Sequence, residues 1–331
     1  MEIILGSALD HRERIESLIP CQRPYFHPEY CGIMYPVEPG GSPEFFLLRS
    51  GDRFVYYQYV KRNLVAVIPG APSNLYDIIS HFDYGGYFTN AAELLPVFFE
   101  EFSRYCRTAN IISEFVRLLP THAHDYAAIG QYLSLRKITE SVYIKLTQDF
   151  ENEYSQRRHR EMAKAARNAL SYEQSSDLST FRELYHETML RRNAHPYYYF
   201  KCDALENLVR AGMGEIWYSI KDGVRISAIF ILKSKSELFY YLGANSEAAL
   251  SCGSPTFIFT KIGRHYCGEK SIFFLGGGDA GVYEFKQSFS KFRTPYCIGM
   301  KKHNQQAYDE LVQLTNRQNN DFFPQYREKI I

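Results

Sequence analysis

Alternating runs of apolar and polar positions predict an α/β chain. Glu44–Arg49 and Phe54–Val60, rich in aromatic and β-branched residues, flank Ser50-Gly51-Asp52 and predict a β-hairpin. Leu64–Ile68, closed by Pro69-Gly70, predicts another strand. Within Ala92–Tyr105, Leu94, Leu95, Phe98, Phe99 and Phe102 recur at helical spacing. Ile111–Leu119 and Val142–Leu146 return to a strand pattern. The chain becomes more polar near Thr147, and Phe150–Ala169 predicts a basic helix with Arg157, Arg160, Lys164 and Arg167 on one face and Arg158 beside it. Asp177–Arg192 and Ala204–Ala211 predict two further helices. Three strands follow at Glu215–Ile220, Arg225–Lys233 and Glu237–Leu242, the first two joined at Lys221-Asp222-Gly223. Pro255–Tyr266 predicts a helix with proline in its first turn, and Ser271–Leu275 a strand running into glycines. The element order gives two similar α/β halves.

Composition narrows the class. The 331 residues carry 38 basic and 37 acidic side chains, a net charge of +1, which excludes a globally basic nucleic-acid coat or an acidic tail. Aromatic residues make up 16%, with 27 Tyr and 24 Phe against one Trp, enough to fill a large core and leave phenols for a polar cleft. The seven Cys form no C-x-x-C pair, so neither a zinc site nor a redox motif is expected, and reduced thiols of a cytoplasmic protein are. The opening MEIILGSALDHRER holds too short an apolar run for a signal peptide, and no run of about 18 apolar residues predicts a membrane span. A lipid-linked substrate stays open.

Four segments carry candidate chemistry. Gly276-Gly277-Gly278-Asp279-Ala280-Gly281 matches G-x-G-x-x-G after a strand, but the fifty residues that follow are too few for a dinucleotide fold, and GMKKH (Gly299–His303) stands where a ribose-binding acid belongs. A loop shaping a substrate site fits better. From Lys286 to His303 lie Lys286, Lys291, Arg293, Lys301 and Lys302 with no acid, a strip suited to a phosphate-bearing partner. The basic face Arg157–Arg167 is the third. Arg191-Arg192-Asn193-Ala194-His195-Pro196-Tyr197-Tyr198-Tyr199-Phe200 sets two guanidinium groups beside three phenols, which can hold phosphate or carboxylate and stack on sugars or bases. His122-Ala123-His124-Asp125 shows no third metal ligand and reads as a polar turn. No G-x-S-x-G elbow supports a covalent hydrolase.

Six segments in order, YDIISHFDYGGYFTN (Tyr76–Asn90), ISEFVRLLP (Ile112–Pro120), RRHREMAKAARNAL (Arg157–Leu170), TMLRRNAHPYYYF (Thr188–Phe200), FYYLGAN (Phe239–Asn245) and FFLGGGDAGVYEFKQSF (Phe273–Phe289), resemble the FemAB/FemX-like branch of the GNAT superfamily. The resemblance covers nearly the whole chain. It implies two tandem GNAT-like domains, 1–147 and 148–302, with mixed, largely antiparallel sheets flanked by helices, a cleft between them, and a tail, 303–331, packed back on the first. It implies transfer of an acyl or aminoacyl group to an amine. In FemX-like members the donor is aminoacyl-tRNA and the acceptor a peptidoglycan precursor; other relatives act on amino sugars or small metabolites.

Site residues carried by the resemblance are as follows. Phe285-Lys286 matches a Phe-Lys pair beside the donor and the reacting carbonyl, and Arg191 a phosphate contact of the acceptor in T-x-x-R. Tyr241 and Phe239 match the aromatics of Y-x-Y-x-G, with Phe239 in place of the first tyrosine. An acceptor-side tyrosine falls on His195, with Tyr197 nearby. Arg192, Tyr84, Gly85 and Gly86 join the substrate contacts, and Gly276, Gly277, Gly278, Lys291, Arg293, Lys301 and Lys302 the donor or tRNA side. The GNAT coenzyme-A loop, Q/R-x-x-G-x-G/A, is missing from Asn245–Ser254 (NSEAALSCGS), which weakens acyl-CoA as donor. The expectation is thus a cytoplasmic N-acyltransferase without a bound cofactor, using aminoacyl-tRNA as co-substrate, in which Lys286 stabilises the oxyanion. The alternatives are an acyl-CoA-dependent N-acyltransferase of an amino sugar and a non-catalytic RNA- or glycan-binding protein. No sequence feature names a metal, a general base or an oligomeric state.

Overall fold

The structure is a computed structural model describing residues 1–19, 23–199 and 203–328; Cys21, Phe200 and Cys202 lie outside the described residues. The chain divides into two compact units, Met1–Ile138 with Pro295–Ile331 (unit 1) and Thr139–Thr294 (unit 2). It passes between them inside strands, at 138/139 and 294/295, where the sequence reading set 147/148 and 302/303.

Unit 1 starts with β1 (Glu2–Ser7), α1 (Arg12–Leu18) and α2 (Pro28–Met34), followed by the hairpin β2 (Gly41–Ser50) and β3 (Arg53–Asn63). Gly51 and Asp52 form its two-residue turn, and Gly51 takes φ +66°, a conformation open to glycine and strained for most side chains. Then come β4 (Tyr76–Ile79), β5 (Tyr87–Thr89), α3 (Leu95–Thr108), β6 (Ile111–Arg117) and α4 (Tyr126–Ile129). The apolar stripe of α3, Leu95, Phe98, Phe99, Phe102 and Cys106, is buried against Phe46, Val55 and Tyr57 of the hairpin. At about 1.5–3 kcal/mol per large side chain, that face outweighs what helix propensity alone contributes. Leu64–Ala66 is a 3₁₀ turn, where a strand is predicted over Leu64–Ile68. Asn63 caps it by accepting from the Val65 N–H at 3.1 Å, and Leu64 and Ile68, four apart, bury together with Ala71.

Unit 2 is entered through β7 (Ser134–Lys145), which begins eight residues ahead of the predicted Val142 because its first half is polar and exposed. It continues with α5 (Gln156–Arg167), β8 (Ser171–Ser175), α6 (Ser179–Arg191) and α7 (Ala204–Arg210). Next are β9 (Gly214–Lys221), β10 (Val224–Lys233), β11 (Glu237–Asn245), α8 (Glu247–Cys252), α9 (Ser254–Tyr266), β12 (Ile272–Gly276) and α10 (Ala280–Gln287). The chain returns to unit 1 through β13 (Arg293–Lys302) and α11 (Gln305–Leu314). The strand order is β1-β2-β3-β4-β6-β13 in unit 1, with β5 on β3, and β7-β12-β11-β10-β9-β8 in unit 2. Only β4/β6 and β11/β12 are parallel among these pairs. The sheets are therefore mixed and largely antiparallel, flanked by helices, as expected. Among the described residues no helix is long and apolar enough to cross a membrane.

Two irregularities in unit 2 prepare the site. β11 pairs with β12 only at Glu237↔Ile272, Leu238↔Phe273 and Phe239↔Phe274. Past that point β11 keeps only β10, and β12 keeps only β7. β11 also bulges. Phe230 faces Leu242 and Ile231 faces Tyr240, so Tyr241 is the extra residue.

Candidate active site

The opening beside β11 is a cavity of roughly 170 Å³ within unit 2. Its wall includes Tyr240 and Asn245 from β11, Phe259 from α9, and Phe285 and Lys286 from α10, with Arg192 at the end of α6. The bulge explains why Tyr240, Gly243 and Asn245 share this wall: across the extra residue, same-face positions step by three and then by two. Phe239 and Tyr241 are buried and absent from it. Phe239 packs against Phe274 (ring centroids 5.9 Å apart), and Tyr241 against Phe230 (6.0 Å), which in turn meets Phe181 of α6 (6.2 Å). The face carrying the predicted aromatics thus packs toward α6, and the neighbouring tyrosine reaches the cavity.

Lys286 is 7% exposed. Its Nζ donates to the Gly277 carbonyl at 2.6 Å and stands 4.8 Å from the centroid of the Tyr240 ring. The glycine run builds this seat. Gly276 has φ +76° and Gly278 φ +144°, and a β-carbon on Gly278 would meet Val282 Cγ1 at 2.5 Å. Asp279 caps α10 by accepting from the Val282 N–H at 2.8 Å, and its carboxylate lies 3.5 Å from Arg192 Nη1. Cap and glycines together aim the last turn of α10, with Phe285 and Lys286, at the cavity. Burial pushes the Tyr240 phenol up to about 12, against an opposing pull from Arg192, so it is un-ionised in any ordinary buffer.

The remaining sequence candidates fall in several places. Arg191 Nη2 donates to the Asn245 carbonyl at 2.8 Å, on the back of the strand end that Asn245 shares with the cavity. His195 Nδ1 accepts from the Tyr197 N–H at 3.2 Å and caps the turn Pro196–Tyr198. Lys291 pairs with Glu153 at 2.8 Å, and Arg293 donates to the carbonyls of Ser290 (2.7 Å), Phe292 (2.9 Å) and Gln287 (3.3 Å). Five candidates belong to unit 1. Tyr84 is buried edge-on to Tyr25 and Tyr296, each 5.5 Å away. Gly85 donates to the Arg117 carbonyl at 2.8 Å, and Gly86 takes φ +117°. Lys301 donates to Ser103 Oγ at 2.9 Å, and Lys302 lies 4.1 Å from the Tyr308 ring centroid. Unit 2 thus brings together Phe285, Lys286, Gly277 and Arg192.

Sequence reasoning did not single out Tyr240 or Asn245, and it set Arg158 beside the basic helix face without expecting its burial. Tyr240 is out of phase with strand alternation, and only the bulge reveals it. Arg158 sits on the helix whose other arginines, Arg157, Arg160 and Arg167, are exposed, yet it is 4% exposed. Its Nη1 donates to Thr256 Oγ1 at 2.6 Å, and its guanidinium lies 4.8 Å from the Phe285 ring centroid and 5.4 Å from that of Phe289. Its Nε has no hydrogen-bond partner, and no carboxylate of the described residues is within salt-bridge reach.

No family model matches the chain, and no curated protein does. Solved structures do. FemX superposes with a TM-score of 0.68 at 12% identity, covering 94% of this chain and 99% of that one. The C-terminal domain of a putative lysylphosphatidylglycerol synthetase from Agrobacterium fabrum gives 0.57 at 15%, covering 91% and 94%. L-PGS from Bacillus licheniformis gives 0.57 at 10%, covering 91% and 95%. At these identities the likeness is one of fold. The chain has the FemX-like fold along nearly its whole length, as the six ordered segments led one to expect.

Proposed function

We propose that this protein is an N-acyltransferase that moves an aminoacyl group from aminoacyl-tRNA to an amine of a cell-wall precursor, an amino sugar or a small peptide. The observation that carries this reading is the buried ammonium of Lys286, fixed by the Gly277 carbonyl at the wall of a cavity. The fold it shares with FemX, with the C-terminal domain of a putative lysylphosphatidylglycerol synthetase and with L-PGS supports a transferase. The segment 245–254 argues against coenzyme A. It lacks the glycine-rich motif and holds α8 (Glu247–Cys252), where Ser246 Oγ accepts from the Ala249 N–H and the Gly253 N–H bonds the Ala249 carbonyl.

In the proposed reaction the amine nitrogen attacks the ester carbonyl carbon. The C–N bond forms, the ester C–O bond breaks, and the amine's proton leaves with the ribose hydroxyl of the donor. Lys286 offers positive charge to the oxygen that becomes negative. In a cavity walled by Phe285 and Phe259 that charge is screened less than in water. Arg192 and Asn245 orient the bound groups. No bound cofactor is required, and the reading places the protein in the cytoplasm, where charged tRNA is made.

The test is amide formation by the purified chain with total tRNA charged with radiolabelled amino acids. Glucosamine, UDP-glucosamine and glycinamide serve as amines, with acetyl-CoA as a parallel donor. Labelled amide from charged tRNA is expected, and Lys286→Ala should lower its rate about 10²–10³-fold with unchanged circular dichroism. Amide from acetyl-CoA alone would replace the donor. Tight tRNA binding with no amide from either donor would make the protein a binding protein.

A further inference from the structure

An aromatic ring of the cavity wall is placed against the Lys286 ammonium. Tyr240 lies under Lys286 Nζ at 4.8 Å and packs on Phe259 of α9 at 5.0 Å between centroids. An ammonium over an aromatic face is held by the ring's quadrupole, and more strongly where water is excluded. The ring reaches this position by crossing Gly243. A methyl group on Gly243 would overlap the Tyr240 hydroxyl and lie 3.1 Å from Cζ. Gly243 has no positive φ and needs no glycine for its backbone. Its lack of a side chain serves the phenol above it. The bulge at Tyr241 puts the two residues on one face, since regular alternation would set them on opposite faces.

We propose that Tyr240 is a positioning residue whose ring face seats the Lys286 ammonium, and that Gly243 is bare so that the ring can lie across the strand. The role belongs to the ring and not to the hydroxyl. The inference rests on the reading of Lys286 given above for its effect on rate, and on geometry alone for the seat itself.

Two measurements test it separately. In protein labelled with ¹³C-lysine, the ε-methylene protons of Lys286, assigned by loss of the peak in Lys286→Arg, should be shifted upfield by the ring current. The shift should persist in Tyr240→Phe and vanish in Tyr240→Leu. An unshifted signal in the wild type overturns the seat, whatever reaction the protein performs. The second measurement is turnover, with charged total tRNA and the amine that gives product. Tyr240→Leu should lower kcat about tenfold with KM nearly unchanged, and Tyr240→Phe should stay within about twofold of wild type. Gly243→Ala should also lose about tenfold, and the double variant Gly243→Ala with Tyr240→Phe should recover most of it, because the overlapping hydroxyl is gone. General loss of packing would give no such recovery. If Tyr240→Leu turns over normally while Lys286→Ala does not, the seat is wrong and the function stands. If Lys286→Ala turns over normally while the wild type shows the ring-current shift, the role of Lys286 in the reaction is wrong and the seat stands.

Discussion

In unit 1, Arg62 is 2% exposed and bonds Asp77 through Nε (2.9 Å) and Nη2 (3.0 Å) and Glu38 through Nη1 (3.0 Å). Arg327 bonds the same Asp77 at 3.0 and 3.2 Å, and the Tyr326 hydroxyl adds a bond at 3.1 Å. In unit 2, Arg158 is 4% exposed and has one hydroxyl and two rings. Burial works against the Asp77 carboxylate, but Arg327 and Arg62 hold its pKa below the ordinary value. Burial, helped by Arg157, lowers that of Arg158. Taking a charge out of water costs several kcal/mol unless partners replace the hydration. Unit 1 replaces it fully and gains a rigid scaffold. Unit 2 leaves the Arg158 guanidinium under-compensated, packed against the rings of Phe285 and Phe289.

The contrast can be broken, beginning with its largest expected effect. Arg62→Ala leaves Asp77 and Glu38 buried beside fewer cations, and chemical denaturation should show unit 1 losing about 3–5 kcal/mol. A loss below 1 kcal/mol would mean the network is not what holds unit 1.

Acid comes next. Burial holds His81 at about 4, and burial with Arg23 and His124 holds His122 at about 3, whereas an unfolded imidazole titrates near 6.5. The unfolded chain therefore takes up protons first. Stability is full above about pH 6.5 and falls as pH drops toward the folded values, by about 2–3 kcal/mol for the two groups between pH 7 and 5.5. His159, His186, His195 and His265 of unit 2 are exposed or half-buried, so hydrogen exchange at pH 5.5 should show unit 1 losing protection before unit 2.

Arg158→Met should change stability by less than about 1 kcal/mol, because it removes an under-partnered buried charge and keeps its bulk. The same variant should slow amide formation by loosening Phe285, so equal melting curves with unequal rates are the expected pair of results. The smallest effect is Arg157→Ala. This exposed residue faces Glu284 at 3.5 Å, and its loss should leave the melting temperature unchanged.

Both hairpins were legible because two-residue turns have their own chemistry: Gly51-Asp52, and Asp222-Gly223 at φ +50° and +78°. The helix at Pro255 and the stripe of α3 were legible through proline placement and spacing. Phe285-Lys286 and the glycines came from ordered motifs. Tyr240 did not, because a bulge shifts strand phase by one residue and leaves no compositional mark. Arg158 did not, because spacing shows which residues share a helix face and not what another element lays over its edge. Leu64–Ile68 failed because five apolar residues before Pro-Gly suit a strand and a tight turn equally. Asp77 and Arg327 are 250 positions apart, and no local pattern could pair them.

Unit 1 is assembled from both sides of unit 2, and its Asp77 is satisfied by residues at 326 and 327. During synthesis on the ribosome, the early part of the chain must wait for that late segment while Thr139–Thr294 emerges as one continuous stretch. The inserted unit can mature first, and the flanking one is completed only when its distant strand and arginine are delivered. A ribosome-stalled chain that ends at Thr294 and continues into a flexible linker long enough to fill the exit tunnel should accordingly resist protease across 139–294 and be cut readily across 1–138.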